Sequence, residues 1–351
     1  MQKITLTILA ITFFLASCDN KTEAPKKNAR LYSAEQLYNN KSIGGVAYNT
    51  DESRILVHAN MSGIYNLYEL NIGDTLLSPL THSTKESFFA IDYLPGSNKY
   101  LYSADKGGDE NSHVYLQAPN DTAAKDITPW AGSTNNMYGW ASDKKSMYVI
   151  SNKRNPKYFD IWKGDTTAWN FMLLFQNDSG YSPGSISPSE RYLALTKEIT
   201  TDKNELYLYD RSTKMYRKIS NDNEATWNAV AFEKNDSVLY YITNDGDEFA
   251  YLVKYNINSG KSDKIYATNW DVVNMNLSEN EKYHTIFINE DGKNKVLLFD
   301  HATNQAVEFP EIKDGDIKGV SISPTEKNMM LSVGSSRSPN NLYTYNFETK
   351  K

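Results

Sequence analysis

The sequence predicts an all-β protein, a seven-bladed β-propeller of four-stranded blades after a lipoprotein signal peptide, and three observations point there. A cycle of about 45 residues recurs along the chain, beginning near Ile43, Phe88, Met137, Ser182, Trp227, Asp271 and Ile317. Within each cycle, short segments alternate apolar and polar side chains between polar turns, the pattern of half-buried strands, and helical periodicity is absent. Aromatic residues make up 13% of the chain, led by 25 tyrosines, and aromatics favour strands.

The chain opens with Lys3 and an uncharged run from Ile4 to Ser17, which fits the charged and apolar regions of a secretory signal. Leu15-Ala16-Ser17-Cys18 has the small-residue pattern of a bacterial lipobox, so residues 1–17 are expected to be cleaved and Cys18 to become the lipidated first residue. Cys18 is the only cysteine, which places the one available thiol where acylation needs it and excludes an internal disulfide. Acyl chains, at about 0.8 kcal/mol per buried methylene, would hold such a protein on a membrane. Residues 18–30 are polar and lysine-rich and read as a flexible tether, with the propeller occupying residues 31–351. The expected location is the bacterial cell envelope, facing the periplasm or the cell surface, with membrane contact through the lipid alone.

Each cycle carries the same segments. The fourth has Ser185-Ile186-Ser187-Pro188, a turn at Ser189-Glu190-Arg191, then Tyr192 to Thr196 and Glu205-Leu206-Tyr207-Leu208-Tyr209-Asp210. The last repeats it with Ser321-Ile322-Ser323-Pro324, Thr325-Glu326-Lys327, Met329 to Val333 and Asn341-Leu342-Tyr343-Thr344-Tyr345. The first has Val46-Ala47-Tyr48, Ile55 to Ala59 and Asn66-Leu67-Tyr68-Glu69-Leu70. A period of roughly 40 to 50 residues with about four strands is that of propeller blades, whose sheets pack face to face. The last cycle stops after its third strand near Phe347. Leu31-Tyr32-Ser33 is the candidate to supply the fourth and cover the exposed edge.

The net charge of −6 is spread along the chain without a basic stripe, which argues against a nucleic-acid partner and gives no electrostatic case for anionic lipid.

Several of these segments resemble a known family. Tyr102-Ser103-Ala104-Asp105-Lys106-Gly107-Gly108-Asp109-Glu110-Asn111, followed by His113-Val114-Tyr115-Leu116, is similar to the second-blade hairpin of prolyl oligopeptidase family serine peptidases, the dipeptidyl peptidase and acylaminoacyl peptidase type. Lys125-Asp126-Ile127-Thr128-Pro129, Gly139-Trp140, Ser151-Asn152-Lys153-Arg154, Phe159-Asp160-Ile161-Trp162, Asn244-Asp245-Gly246-Asp247-Glu248-Phe249, Trp270-Asp271-Val272 and Ile288-Asn289-Glu290-Asp291 follow in the family's order. The resemblance runs from Tyr32 to the C-terminus and implies a propeller that limits which peptides reach an α/β-hydrolase domain carrying a Ser, Asp and His triad. Ser338-Pro339-Asn340-Asn341-Leu342-Tyr343 looks like the end of that propeller, so no family catalytic residue has a counterpart here and the hydrolase domain is expected to be missing.

Gly180-Tyr181-Ser182-Pro183-Gly184 fits the G-x-S-x-G nucleophile elbow, but Pro183 and Gly184 oppose the helix that must follow the serine, so a coincidental loop is expected. His58, His82, His113, His284 and His301 show no metal-ligand spacing, and neither a metal nor a cofactor is expected. The acidic turns are the candidate peptide-binding residues: Asp105, Asp109 and Glu110 in one cycle, Asp245, Asp247 and Glu248 in another. They would capture an amino terminus or basic side chains, although Asp and Gly at such places also satisfy turn geometry alone. Trp140, Trp162 and Trp227 are expected in the core, with Trp270 undecided.

The expected function is therefore an exported propeller that binds peptide or protein without catalysis. The alternatives are the propeller half of a split or truncated serine peptidase completed by a separate hydrolase chain, and an envelope scaffold like the Tol-system propeller.

Overall fold

The computed structural model describes residues 30–313, 315–336 and 338–351, so the expected signal sequence, Cys18 and nearly all of the expected tether lie outside the described residues. The chain divides into two units, Met1–Asn40 and Lys41–Lys351. In the first, a single-turn helix α1 (Ala34–Tyr38) is started by Ser33, whose hydroxyl accepts from the Gln36 amide while the Gln36 side chain accepts from the Ser33 amide. Leu31, Tyr32 and Ser33 form no strand, which corrects the expectation that they complete the last blade: a serine three residues before a glutamine is a helix start.

The second unit is a seven-bladed β-propeller. Its sheets are β1–β4 (Ile43–Tyr48, Arg54–Ala59, Asn66–Asn71, Leu77–Pro79), β5–β8 (Phe89–Tyr93, Tyr100–Ala104, His113–Gln117, Lys125–Asp126) and β9–β12 (Asn135–Trp140, Ser146–Ser151, Asp160–Asp165, Phe171–Phe175). There follow β13–β16 (Ser182–Ile186, Tyr192–Glu198, Asn204–Asp210, Met215–Lys218), β17–β20 (Trp227–Phe232, Val238–Thr243, Tyr251–Asn256, Ser262–Tyr266), β21–β24 (Asp271–Leu277, Tyr283–Glu290, Lys293–Asp300, Ala306–Val307) and β25–β27 (Asp316–Ile322, Asn328–Ser335, Ser338–Asn346). Each sheet is an antiparallel meander, and the last has three strands among the described residues. The first strands fall within two residues of the cycle starts read from the sequence.

Burial within a blade follows strand order. The second strand is the most deeply covered: Ile55, Leu56 and Val57 are fully buried, and every residue of Val238–Thr243 is buried. The fourth strand is the most open to solvent, as in Met215–Lys218, where all four residues are exposed. All seven first strands carry an extra residue opposite the second strand, at Val46, Ile91, Tyr138, Gly184, Val230, Val273 and Lys318. A bulge sharpens the local twist of a strand, and here it recurs once per blade in the strand nearest the axis.

The apolar interior is a series of clusters between neighbouring blades. Tyr192, Leu206 and Leu208 meet Trp227, Leu239 and Tyr241, for example. The ring closes where Met330 and Leu342 of the last blade pack against Tyr48, Ile55 and Val57 of the first. Gly45 is required there, because a Cβ would come within 2.6 Å of the Met330 sulfur and 2.8 Å of Leu342. Among the described residues no helix is long and apolar enough to cross a membrane.

The meander sorts connections by face. Turns between first and second strands emerge on one side of the ring, here the turn face. Loops between second and third strands emerge on the other, the loop face.

Candidate functional site

Both acidic clusters sit on the loop face, one in the β6–β7 loop and one in the β18–β19 loop, in the second and fifth blades. They are not brought together, since two blades separate them by the shorter way round the ring.

In the second blade, Gly107 and Gly108 take φ of 66° and 75° and Glu110 takes 60°, so the loop turns back on itself. Asp105 accepts from the Glu110 amide at 3.1 Å, and Asp109 accepts from the Asn111 amide at 3.0 Å and the Lys106 amide at 3.4 Å. The Asn111 amide is the main reason the Asp109 carboxyl is held below its ordinary range. Part of the work of these acids is thus to fold their own loop.

Asp105 and Asp109 also line a cleft of about 330 Å³, together with Lys106, His113, Asp126 and Gly132. Within it lies the His113 ring, whose Nδ1 is 2.7 Å from the Asp126 carboxylate and whose face stacks on Tyr115. Asp126 is itself held by the Thr128 amide at 2.9 Å. The sequence reading passed over His113 and Asp126 as a pair. The available signal was their position on adjacent strands, β7 and β8, where the register pairs Tyr115 with Asp126. Chemically, the cleft offers a half-buried carboxylate, Asp105, and an exposed one, Asp109, beside a carboxylate-oriented imidazole, which suits an ammonium group.

On the same face, the Lys153 ammonium lies 3.3 Å from the ring centre of Trp130 and 3.6 Å from that of Trp162. Burial lowers the pKa of this amine, and the charge of Asp160 opposes that shift. Trp162 is therefore not simply core. Trp140 is likewise only partly buried and donates its Nε1–H to Asp92 at 2.8 Å, whereas Trp227 is 5% exposed, as expected of a core residue. Trp270 is 38% exposed.

In the fifth blade the acids have partners. Asp245 accepts from the side-chain Nδ2 groups of Asn221 at 2.5 Å and Asn223 at 2.7 Å, and Asp247 pairs with Lys264 at 2.6 Å. The Lys264 hydrogen bond is the first cause of the lowered Asp247 pKa. The Glu248 amide donates to Asp247 at 2.9 Å. This cluster ties neighbouring segments together and faces no comparable cleft among those described.

Ser182 opens strand β13, with Pro183 opposite Leu195 in the sheet, so the G-x-S-x-G match runs into a strand where an elbow needs a helix. His58, His284 and His301 lie elsewhere in the ring; among the described residues no three metal-ligating side chains converge.

Comparisons place this geometry among known proteins. Dipeptidyl aminopeptidase BIII from Pseudoxanthomonas mexicana is 22% identical over 275 residues, covering 73% of this chain and 39% of that protein. A prolyl endopeptidase structure superposes with a TM-score of 0.67 at 11% identity, over 90% of this chain and 49% of the other. Prolyl oligopeptidase B from Galerina marginata gives 0.65 at 13%, over 90% and 50%. An oligogalacturonate lyase in complex with manganese gives 0.65 at 12%, over 88% and 90%. The chain thus spans about two fifths of the curated relative and about half of the two peptidase structures. These structural likenesses show the shared propeller fold. Residues 43–351 match the family model of the prolyl oligopeptidase N-terminal β-propeller domain, and the chain belongs to that family.

Proposed function

We propose that this propeller binds peptide on its loop face and performs no hydrolysis with residues 43–351 alone. The observation that carries the reading is the cleft of the second blade, which Asp105 and Asp109 line together with the His113–Asp126 pair. Two carboxylates at the rim of a cavity favour the ammonium group of a peptide by direct charge attraction, and the family match supplies peptides as the ligand class. The test is fluorescence anisotropy of a labelled alanine- and proline-containing peptide with a free amino terminus, run beside mass spectrometry of the same mixture. Expected are saturable binding, an intact peptide, and about tenfold weaker binding to the Asp105→Asn/Asp109→Asn variant. Cleavage that survives rigorous purification, or binding indifferent to N-terminal acetylation, would overturn the reading.

A second reading is favoured by the coverage of about half of the peptidase relatives: a hydrolase domain, in the same or another polypeptide, is the working partner of the propeller. Co-purification of an α/β-hydrolase chain from native membranes would support it. We also propose lipid attachment at Cys18, which puts the propeller on an envelope membrane. Metabolic labelling with an alkynyl fatty acid should mark the parent and not Cys18→Ser.

A further inference from the structure

The turn face carries a ring of brackets that is interrupted at one place. In every blade the turn between first and second strands puts one residue in the left-handed region: Glu52, Gly96, Lys144, Glu190, Asp236, Glu281 and Glu326, with φ between 54° and 68°. Five of these are acids, and each reaches back to the preceding blade. Glu52 accepts from the Thr325 amide and hydroxyl, Glu326 from the Ser278 hydroxyl and Asn280 amide, and Glu281 from the Lys234 amide. Asp236 accepts from the Ser187 and Ser189 hydroxyls, and Glu190 from the Tyr148 hydroxyl and the Lys163 ammonium.

The second and third blades break the pattern with Gly96 and Lys144. Gly96 has no side chain to reach with. Lys144 turns away from its neighbour and pairs with Glu279 of the sixth blade at 2.7 Å. The third and sixth blades are separated by two blades one way and three the other, so this ion pair spans the axial opening on the turn face.

The ion pair lines a cavity of about 260 Å³, bounded also by Tyr48, Asp92, Tyr93 and Trp140 among others. It is smaller than the roughly 300–1,000 Å³ of drug-sized pockets and suits a single side chain. Three features suit it to a cation. Asp92 is held by the Trp140 indole at 2.8 Å and by the Tyr93 amide at 2.7 Å, and Lys144 and Glu279 act on its charge with opposite sign. Asp92 and Glu279 both line the cavity, and of the two only Glu279 is in ion-pair contact with Lys144. Tyr48, Tyr93 and Trp140 contribute aromatic rings to the walls, and aromatic faces attract cations. Tyr48, only 6% exposed, lines the same cavity with a buried hydroxyl that has no hydrogen-bond partner. Burial pushes the Asp92 carboxyl above its ordinary range, with the Trp140 and Tyr93 hydrogen bonds opposing.

We propose that this axial opening is a binding site for a basic peptide side chain, arginine or lysine, and that Lys144 is the internal cation which such a side chain displaces. The proposal rests on the reading that the propeller binds peptide, but places a second subsite on the face opposite the Asp105 cleft.

The probe is N-acetyl-arginine amide, titrated against the purified chain while the Trp140 indole N–H resonance, assigned with Trp140→Phe, is followed by NMR. N-acetyl-citrulline amide is the uncharged control. Expected are a saturable shift with the arginine probe alone, about tenfold tighter binding to Lys144→Met, and at least tenfold weaker binding to both Asp92→Asn and the surface variant Glu279→Gln. Equal response to citrulline, or an affinity unmoved by Lys144→Met, overturns the subsite. A labelled arginine-containing peptide, measured by anisotropy, separates the two readings. Binding insensitive to Asp92→Asn but lost in Asp105→Asn/Asp109→Asn sinks the subsite and keeps the loop-face reading. Binding with the opposite sensitivity sinks the loop-face reading.

Discussion

Replacing Glu52 by alanine and by glycine separates two opposed contributions at the seam where the ring closes. Glu52 is 8% exposed and accepts three hydrogen bonds from the last blade: the Thr325 amide and hydroxyl at 2.7 Å each and the Asn328 side chain at 3.1 Å. At about 1 kcal/mol net for each bond, the bracket contributes about 3 kcal/mol. Its backbone φ of 57° opposes this, because a left-handed non-glycine residue costs about 1 kcal/mol. Glu52→Ala keeps the backbone cost and loses the bracket, a deficit of about 3 kcal/mol. Glu52→Gly loses the bracket but relieves the backbone, a deficit of about 2 kcal/mol. With an unfolding entropy of about 2.1 cal/mol/K per residue over the propeller, these are falls of about 5 and about 3 °C in Tm, readable by calorimetry. Burial raises the Glu52 pKa, but the hydrogen bonds from Thr325, Ser323 and Asn328 together outweigh it and hold the carboxyl below its ordinary range. Its contribution is therefore present in full above the unfolded-state pKa and lost as pH falls through the lower folded-state value, so the parent's advantage should narrow below about pH 4. A glycine variant as stable as the parent, or no difference between the two variants, would refute the reasoning.

Three further perturbations test separate parts of the ring. Asp160, with a fully buried side chain, accepts from Arg154 Nε at 2.7 Å, Arg154 Nη2 at 2.8 Å and the Asn177 amide at 2.8 Å, so Asp160→Ala should cost about 3 kcal/mol in urea denaturation; a loss under about 1 kcal/mol would show that solvent replaces the carboxylate. His284 faces His301 with Nδ1 atoms 3.3 Å apart, and burial together with the His301 charge lowers its pKa to about 4. Its folded-state pKa lies below the unfolded value, so stability should fall as pH drops from about 6.5 towards 4, by about 3 kcal/mol at most, and His284→Phe should flatten that slope in pH-dependent denaturation. Lys153→Met should remove about 1 kcal/mol of cation–π attraction and shift the emission of Trp130 and Trp162, whereas an unchanged spectrum would mean that the lysine does not rest on the indoles in solution.

The blades were legible because strand alternation and turn chemistry repeat in register: Ser185-Ile186-Ser187-Pro188 and Ser321-Ile322-Ser323-Pro324 occupy equivalent ends of β13 and β25. The acids of the second and fifth blades were equally visible as residues, but sequence could not divide them. Whether Asp247 is occupied depends on Lys264, 17 residues away on the fourth strand of its blade, and whether Asp105 is available depends on the cleft around His113. Leu31-Tyr32-Ser33 misled because an apolar pair before a serine reads as a short strand until Gln36 is counted as the partner of a helix cap. Trp140 and Trp162 fell at strand positions consistent with core, but the polar partners that draw them towards the surface, Asp92 and Lys153, lie on other strands or loops.

A repeat fold makes its departures informative. Seven turns share one backbone conformation, and five fill it with an acid that costs conformational energy glycine would not. That recurrence has a physical cause in the brackets between blades. Once the cause is known, Lys144 ceases to be one more exposed lysine: it occupies a position where an acid would tie the third blade to the second, and it spends its charge across the axis. The second blade, with glycine at the same position, also lacks the turn bracket, and the two seams are tied instead by Tyr93 donating to Glu69 and Trp140 donating to Asp92, each at 2.8 Å. The axial cavity is bounded by residues from both blades, so the place where the turn bracket is missing is also the place where the proposed subsite lies. Where local rules hold in most repeats and fail in adjacent ones, the failure is more economically assigned to a site than to accident.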